Sequence, residues 1–472
     1  MTDRATLGRV EVGQADINSY RSLLDGRAWT ELERAMKELA SRLRGRTVWN
    51  VNSTARGGGV AELLSALIPY ERGSGIDEHW LTIDGAPAYF DVTKKIHTSL
   101  HGVASDGSEI SRSERNEYER TMARNATALV DTVKGNDVVI LHDPQSAGLV
   151  SALHAHGTHV IWRSHVGLDQ PNDIARAAWD MLRPYLDEAE AYVFSRRNYV
   201  WEGLDDSRVH IIPPSIDAFT AKNRDLTNDE VAHILSVAGV FEDGKATADI
   251  DGSARPVHVE RKVHMSGSPI PPEVPIVVQV SRWDRLKDPL GVLDGFVRHI
   301  APKTDGYLVL AGPAATSVRD DPEQPEVLAE LETRRTGLPP AIRDRVRIAQ
   351  LPLEDEGENA IVVNALLRYA TVVVQKSLAE GFGLTVAEAM WKARPVVASR
   401  VGGIEDQIES GRSGILIEPD DLERFGSEVA ALLEDRARAE HLGTEAKARV
   451  TREFLTPRHL IKQGRLVLSL IE

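Results

Sequence analysis

The chain reads as α/β, with two doubly wound domains. Apolar strand-like runs alternate with stretches of helical spacing in each half of the sequence. Two prolines and a Gly/Asp/Ser-rich stretch interrupt that alternation near the middle. The length of 472 residues also exceeds what one ordinary core supports. Strands alternating with helices imply a parallel sheet covered on both faces. Two such domains facing across a cleft are expected, with ligands at the C-terminal ends of the strands.

In the first half, Arg46 to Val51 is expected as a strand running into the loop Asn52–Gly59 and a helix from Val60 to Tyr70. Further buried-strand candidates are Trp80–Ile83, Val138–Leu141, Val160–Trp162 and Ala191–Phe194. Two prolines stop regular structure at Ile211–Asp217 (IIPPSID). The pattern restarts with strands at Ile276–Val280, Tyr307–Ala311, Val346–Gln350, Thr371–Gln375 and Pro395–Ala398. Helices are expected over Leu290–Ile300 and Asn359–Tyr369. From Asp421 onward the chain reads helical, with Leu422, Phe425, Val429 and Leu432 on one face. The expected domains are 1–215 and 216–452, with an insertion at about 241–270 and a terminal helix at about 453–472 packing back on the first domain.

Composition narrows the function classes. The formal net charge is −15 and no block of Lys/Arg marks a nucleic-acid or anionic-membrane footprint. There is no cysteine, which excludes disulfides, thiolate chemistry and cysteine zinc sites. The N-terminus lacks an apolar targeting region and no apolar run approaches spanning length, so a cytoplasmic location is expected.

Glu380 to Gly403 (EGFGLTVAEAMWKARPVVASRVGG) is the densest chemical segment. Glu380 and Glu388 lie eight positions apart across a Gly-x-Gly turn leading into a helix. Such a turn offers backbone N–H groups and the positive end of a helix dipole to a phosphate. Carboxylates on either side suit hydroxyls, so a phosphate beside a polyol is the expected ligand. The loop after Ile276–Val280 carries Arg282 and Lys287, suited to a leaving diphosphate, although an isolated pair of this kind is more often a solvated loop. Gly57–Gly59 sits between a strand and a helix and fits either an anion site or a tight turn. It is neither a P-loop nor a G-x-G-x-x-G. His142–Gln145 (HDPQ) and the WRSH ending in His165 both follow apolar strands. A lone histidine is usually structural; two at neighbouring strand ends shift the balance toward a site. His154, His156 and His159 read as helix-end and loop residues, without metal-ligand spacing.

With these residues in hand, the chain resembles retaining glycosyltransferases of the GT-B fold, specifically glycosyltransferase family 4. Within that group it is similar to the trehalose glycosyltransferring synthases and the related trehalose phosphorylases. NVNSTARGGGVAELL, HDPQ, WRSH, PPSID, VSRWDRLKDPLGV and QKSLAEGFGLTVAEAMWKARPVVASRVGGIEDQI carry the likeness, from about Trp49 to Gly414. The stretch from about Phe241 to Ile270 lies outside it, and Ala218 stands where the family usually has proline.

The resemblance implies a set of roles. Glu388 would hold the nucleotide ribose and Glu380 the donor glucose. Backbone N–H groups of Gly383, Leu384 and Thr385 would meet the distal phosphate or sugar. Arg282 and Lys287 would stabilise the departing diphosphate, and Gly58 and Gly59 would approach the same phosphate. His165 would sit near the anomeric carbon, and Asp143 would orient the acceptor, with His142 and Gln145 as further acceptor contacts. No cofactor would be required and no metal would be essential for donor binding. The partners would be a sugar and a nucleotide sugar (ADP-, UDP- or GDP-glucose), with no nucleic acid and no membrane, and a homodimer as one option. The implied reaction is transfer of glucose to glucose giving α,α-trehalose; phosphorolysis through glucose 1-phosphate and another acceptor are the alternatives. A non-catalytic sugar- or nucleotide-binding protein on the same scaffold is the reading from a different class.

Overall fold

The computed structural model of the chain describes residues 5–56, 58–103, 109–241, 247–250, 257–260, 262–314 and 323–472. Contacts divide the chain into one unit of Met1–Ser215 with Thr456–Glu472 and a second of Ile216–Leu455. No described helix is long and apolar enough to cross a membrane.

The strands of the first unit are β1 (Gly8–Val10), β2 (Val48–Asn52), β3 (Glu78–Thr82), β4 (Val138–His142), β5 (His159–Ser164), β6 (Ala191–Phe194) and β7 (Val209–Ile211). They form one sheet in the order β1-β3-β2-β4-β5-β6-β7, parallel except where β1 pairs antiparallel with β3. Every residue of β2 and β4 is buried, as strands covered on both faces must be. One face packs Trp80 against Ala61, Leu64 and Ile68 of the helix Gly59–Gly73. The other holds the larger core of Tyr89, Tyr118, Trp162 and Trp179 under the helices Pro87–Leu100, Arg112–Val130 and Asp173–Leu182. The last helix, Thr456–Ile471, packs on Gly26–Arg42 of this unit.

In the second unit the strands are β8 (Thr247–Ile250), β9 (Val257–Glu260), β10 (His264–Met265), β11 (Ile276–Val280), β12 (Tyr307–Pro313), β13 (Val346–Leu351), β14 (Val372–Gln375), β15 (Val396–Ser399) and β16 (Ile415–Ile417). The main sheet runs β10-β13-β12-β11-β14-β15-β16 and is parallel apart from the two-residue edge strand β10. The stretch expected as an insertion is therefore not all outside the sheet, because His264 and Met265 pair with β13. Its described earlier part, β8 and β9, forms an antiparallel pair lying on the helices Asn228–Ala238 and Glu356–Tyr369. The helix expected over Leu290–Ile300 begins at Pro289 and finishes as a π-helical turn, Phe296–Ile300, with both end residues buried.

Strand order defines where ligands can approach. In the second unit the chain builds outward from β11 to β13, then returns to lay β14 on the other side of β11. In the first it builds from β2 to β3 and returns with β4. These reversals, at the loops after β11 and β14 and after β2 and β4, are where a doubly wound sheet is expected to take its ligand.

Candidate active site

The reversal in the second unit joins the loop after β11 to the loop after β14. Lys287 Nζ donates to Glu380 Oε2 at 2.6 Å, and Ser377 Oγ donates to the same oxygen at 3.3 Å. Both charged side chains are largely shielded, with 18% and 12% exposure. Arg282 reaches Asp284 at 3.0 Å, with 59% of its side chain exposed to solvent. Two backbone links fix the loops: Leu378 N donates to Leu286 O at 2.7 Å, and Gln279 bridges Lys287 O and Lys376 N at 2.9 and 3.1 Å. Lys376 is ion-paired with Asp288, whose left-handed backbone (φ 47°) starts the helix at Pro289.

Beyond Glu380 the chain turns at Gly383 (φ 85°) into the helix Leu384–Trp391, which has no side-chain cap. A side chain at that φ would be strained, and the missing cap leaves the first-turn N–H groups, Leu384 and Thr385 among them, for a ligand. Gln407 supports the turn by donating to Phe382 O. Further along the helix, Glu388 is buried beside two cations. Lys222 Nζ stands 3.4 Å from its Oε1. Lys392 donates to Asn223 Oδ1 at 2.9 Å and to the Glu388 carbonyl at 3.2 Å. Burial lowers the Lys392 ammonium, and the Glu388 charge opposes that fall.

In the first unit the ends of β4 and β5 hold the second group. Asp143 occupies a left-handed conformation (φ 63°) and is buried, an arrangement costing about 1–3 kcal/mol that concentrates at functional sites. Its Oδ1 accepts the His165 backbone N–H at 2.7 Å, while its carbonyl accepts Trp162 Nε1–H at 3.1 Å. Burial pushes the carboxyl up to about 7, against the His165 N–H and the Arg163 charge. His142 Nδ1 and His165 Nε2 are 3.1 Å apart. Burial and the Arg163 charge take His142 down to about 3 and His165 well below the usual imidazole range, so both rings are neutral at pH 7. The Gln145 carbonyl accepts the Tyr89 hydroxyl, and Pro144 O accepts Tyr118, which pins the loop from below.

The glycine loop follows β2 in the same unit. Gly58 (φ 87°) caps the helix Gly59–Gly73 without a side-chain bond, and among the described residues nothing beyond its chain neighbours stands within 4 Å of where a β-carbon would lie. Gly57 lies outside the described residues. Among the described residues no cluster of three or more His, Asp or Glu could hold a metal ion. His159, expected with His154 and His156 as a helix-end or loop residue, opens β5 and pairs with Glu190 at 3.0 Å.

Several residues behind these groups gave no signal of their own. Asn50, Glu78, Arg163, Lys222 and Lys392 reach the two groups only through strand order or packing. A polar residue flanked by apolar ones inside a buried strand, as Asn50 is between Trp49 and Val51, is the one available hint.

The two doubly wound units, each with charged and polar side chains gathered at its strand-order reversal, have the architecture of the GT-B glycosyltransferases. Residues 50–201 match the model for the trehalose synthase N-terminal domain, and residues 358–449 match that for glycosyl transferases group 1. Trehalose synthase of Rubrobacter xylanophilus is 37% identical over 98% of this chain and 99% of its own. That of Pyrococcus horikoshii is 32% identical over 95% of each. Trehalose phosphorylase of Pleurotus sajor-caju is 25% identical over 93% of this chain but 60% of its own. The α,α-trehalose 6-phosphate synthase structure from Burkholderia multivorans superposes with a TM-score of 0.65, at 15% identity, over 90% of this chain and 97% of that one. The chain belongs to the trehalose synthase family, and is a trehalose-related hexosyltransferase.

Proposed function

We propose that the protein transfers glucose, with retention of configuration, from a nucleoside diphosphate glucose to glucose, forming α,α-trehalose. The observation that carries this reading is the Lys287–Glu380 pair beside the uncapped turn at Gly383. Cation, carboxylate and uncapped helix N–H groups together suit a phosphate joined to a hydroxyl-rich sugar. Breaking the glycosyl–phosphate bond builds negative charge on the leaving oxygen. Lys287, Arg282 and the first-turn N–H groups of Gly383, Leu384 and Thr385 meet that charge, so no metal is required. Glu388 takes the ribose, and Glu380 the hydroxyls of the donor glucose.

On the acceptor side, Asp143 as carboxylate takes a hydroxyl of the incoming glucose, with His142 and Gln145 at the same strand end. His165 serves the donor glucose near its anomeric carbon. No carboxylate here is a clear candidate for the covalent double displacement of retaining glycosidases. The proposed route is same-face attack, in which the acceptor hydroxyl passes its proton to the leaving phosphate oxygen.

Full-length kinship to the synthases, against partial coverage of the longer phosphorylases, favours synthesis over phosphorolysis. Purified protein should form trehalose from glucose and one of ADP-, UDP- or GDP-glucose, in the presence of a chelator. Trehalose loss that needs phosphate and no nucleotide would establish the phosphorylase reading instead. No trehalose turnover in either assay would leave another acceptor to be found.

A further inference from the structure

A row of buried polar side chains crosses the first sheet beneath His165. Glu78 on β3, Asn50 on β2 and His142 on β4 occupy neighbouring strands. Asn50 lies two residues beyond Val48, the partner of Glu78, and His142 two beyond Ile140, the partner of Asn50. Steps of two keep all three on one face. Each is nearly inaccessible, at 1–2% exposure. Asn50 Nδ2 donates to Glu78 Oε1 at 2.6 Å, Asn50 Oδ1 lies 3.0 Å from His142 Nε2, and His142 Nδ1 lies 3.1 Å from His165 Nε2. The imidazole centroids are 5.4 Å apart and their planes differ by 18°. The centroid separation exceeds the nitrogen separation by little more than the two ring radii, so the rings meet edge to edge through those nitrogens.

The chemistry of the row has a direction. An amide oxygen only accepts, so His142 must carry its proton on Nε2. A neutral ring then has a bare Nδ1, which can only accept, so His165 must donate from Nε2. His165 is left with an acceptor at Nδ1. We propose that Asn50 and Glu78 are positioning residues that hold His165, through His142, in the tautomer with its proton on Nε2 and its lone pair on Nδ1. Glu78 acts at the far end by setting which way the Asn50 amide points. The Glu71 and Glu78 carboxyls are close enough for each to alter the other's proton affinity. Burial raises the Glu78 carboxyl, and a carboxyl that holds its proton on the other oxygen still accepts from the amide at Oε1. In this tautomer His165 accepts a hydrogen bond from a sugar hydroxyl at Nδ1 and cannot act as an acid there.

This inference rests on the proposed place of His165 beside the donor glucose, but its test is separate from activity. Imidazole nitrogen NMR on histidine-labelled full-length protein, with His165 identified through His165→Gln, reads the tautomer directly. The wild-type ring should show a protonated Nε2 and a bare Nδ1. The opposite assignment in the wild type overturns the proposal, whatever the variants do. Asn50→Leu should release the row and give averaged His165 nitrogen signals, and Glu78→Leu should free the amide to turn and shift the balance the same way. Glu78→Gln, which keeps a carbonyl acceptor, should retain the wild-type pattern. A folded Asn50→Leu protein with unchanged His165 signals would also overturn it. If the reading of His165 holds as well, Asn50→Leu lowers kcat about tenfold, the scale of one hydrogen bond, with little change in the acceptor KM. Altered nitrogen signals with unaltered kcat would uphold the tautomer row and remove His165 from the donor role.

Discussion

Lys287 and Glu380 stand 93 positions apart in the sequence and form a 2.6 Å ion pair where the loops after β11 and β14 meet. The pair holds the ammonium in place at the turn leading to Gly383, where the proposed donor phosphate would meet it. Removing the ammonium should cost far more in catalysis than in folding. Lys287→Ala leaves Glu380 with the Ser377 hydroxyl and partial solvent access, a stability loss of about 1 kcal/mol. Turnover should fall by roughly a hundredfold or more, as when a donor to developing negative charge is lost. Initial rates with saturating donor and thermal melts of the same preparation check both halves. Near-normal turnover would take Lys287 out of the leaving-group role.

Asp143 makes the proposed reaction depend on pH. Burial raises its carboxyl from the ordinary 3.8 to about 7, with the His165 N–H and the Arg163 charge acting the other way. If the carboxylate takes the acceptor hydroxyl, kcat/KM for the acceptor should climb as pH rises through about 7. Stability moves in the opposite sense. Between about 4 and about 7 the folded chain holds this proton and the unfolded chain has lost it, so stability falls as pH rises through that window and levels off above it. Asp143→Asn retains an oxygen for the His165 N–H and cannot titrate. It should lower the rate and flatten both profiles; a pH–rate profile unchanged in the variant would assign the ionisation elsewhere.

Much of this architecture was legible in the sequence because its signals are local. The strands from β2 to β6 and from β11 to β15 are short apolar runs bounded by loops, and buried parallel strands read that way. β1, β7, β10 and β16 escaped for a physical reason. They have two or three residues each at or near sheet edges, too few to establish a period. The same contrast holds at the site. Glu380, Gly383 and Glu388 are legible because one turn and one helix carry all three. The row from Glu78 through Asn50 to His142 depends on which strands lie side by side, and periodicity does not encode strand order. The Arg163–His459 contact, 2.8 Å across 296 positions, is further still from any local signal.

Glu388 offers a way to separate nucleotide from sugar phosphate. It is buried in the helix beyond the turn at Gly383, with Lys222 at 3.4 Å. If it holds the ribose, Glu388→Gln should weaken nucleoside diphosphate binding about tenfold, the worth of a hydrogen bond to a charged group. Binding of glucose 1-phosphate, which has no ribose, should change little. Isothermal titration with the two ligands makes the comparison. An equal loss for both would mean that the substitution acts through the helix, not through the ribose.

Gly403 tests whether the second glycine pair shapes the turn at Gly383 or merely leads from β15 into the short helix Ile404–Gln407. Its N–H donates to Gly381 O at 3.1 Å. A β-carbon there would lie 2.7 Å from both Gly381 O and Phe382 Cα, backbone atoms that cannot swing aside. Gly403→Ala must therefore push the turn between Glu380 and Gly383 outward, at about 1–3 kcal/mol for an overpacked contact. Because that strain falls on the turn that presents the first-turn N–H groups, donor KM should rise together with the loss of thermal stability. Gly411→Ala is the control for strain without crowding: its φ is 85°, yet nothing stands within 4 Å of its added carbon. That variant should lose stability and keep its donor KM. Similar donor KM values in the two variants would mean that Gly403 only leads into the helix Ile404–Gln407 and does not shape the turn at Gly383.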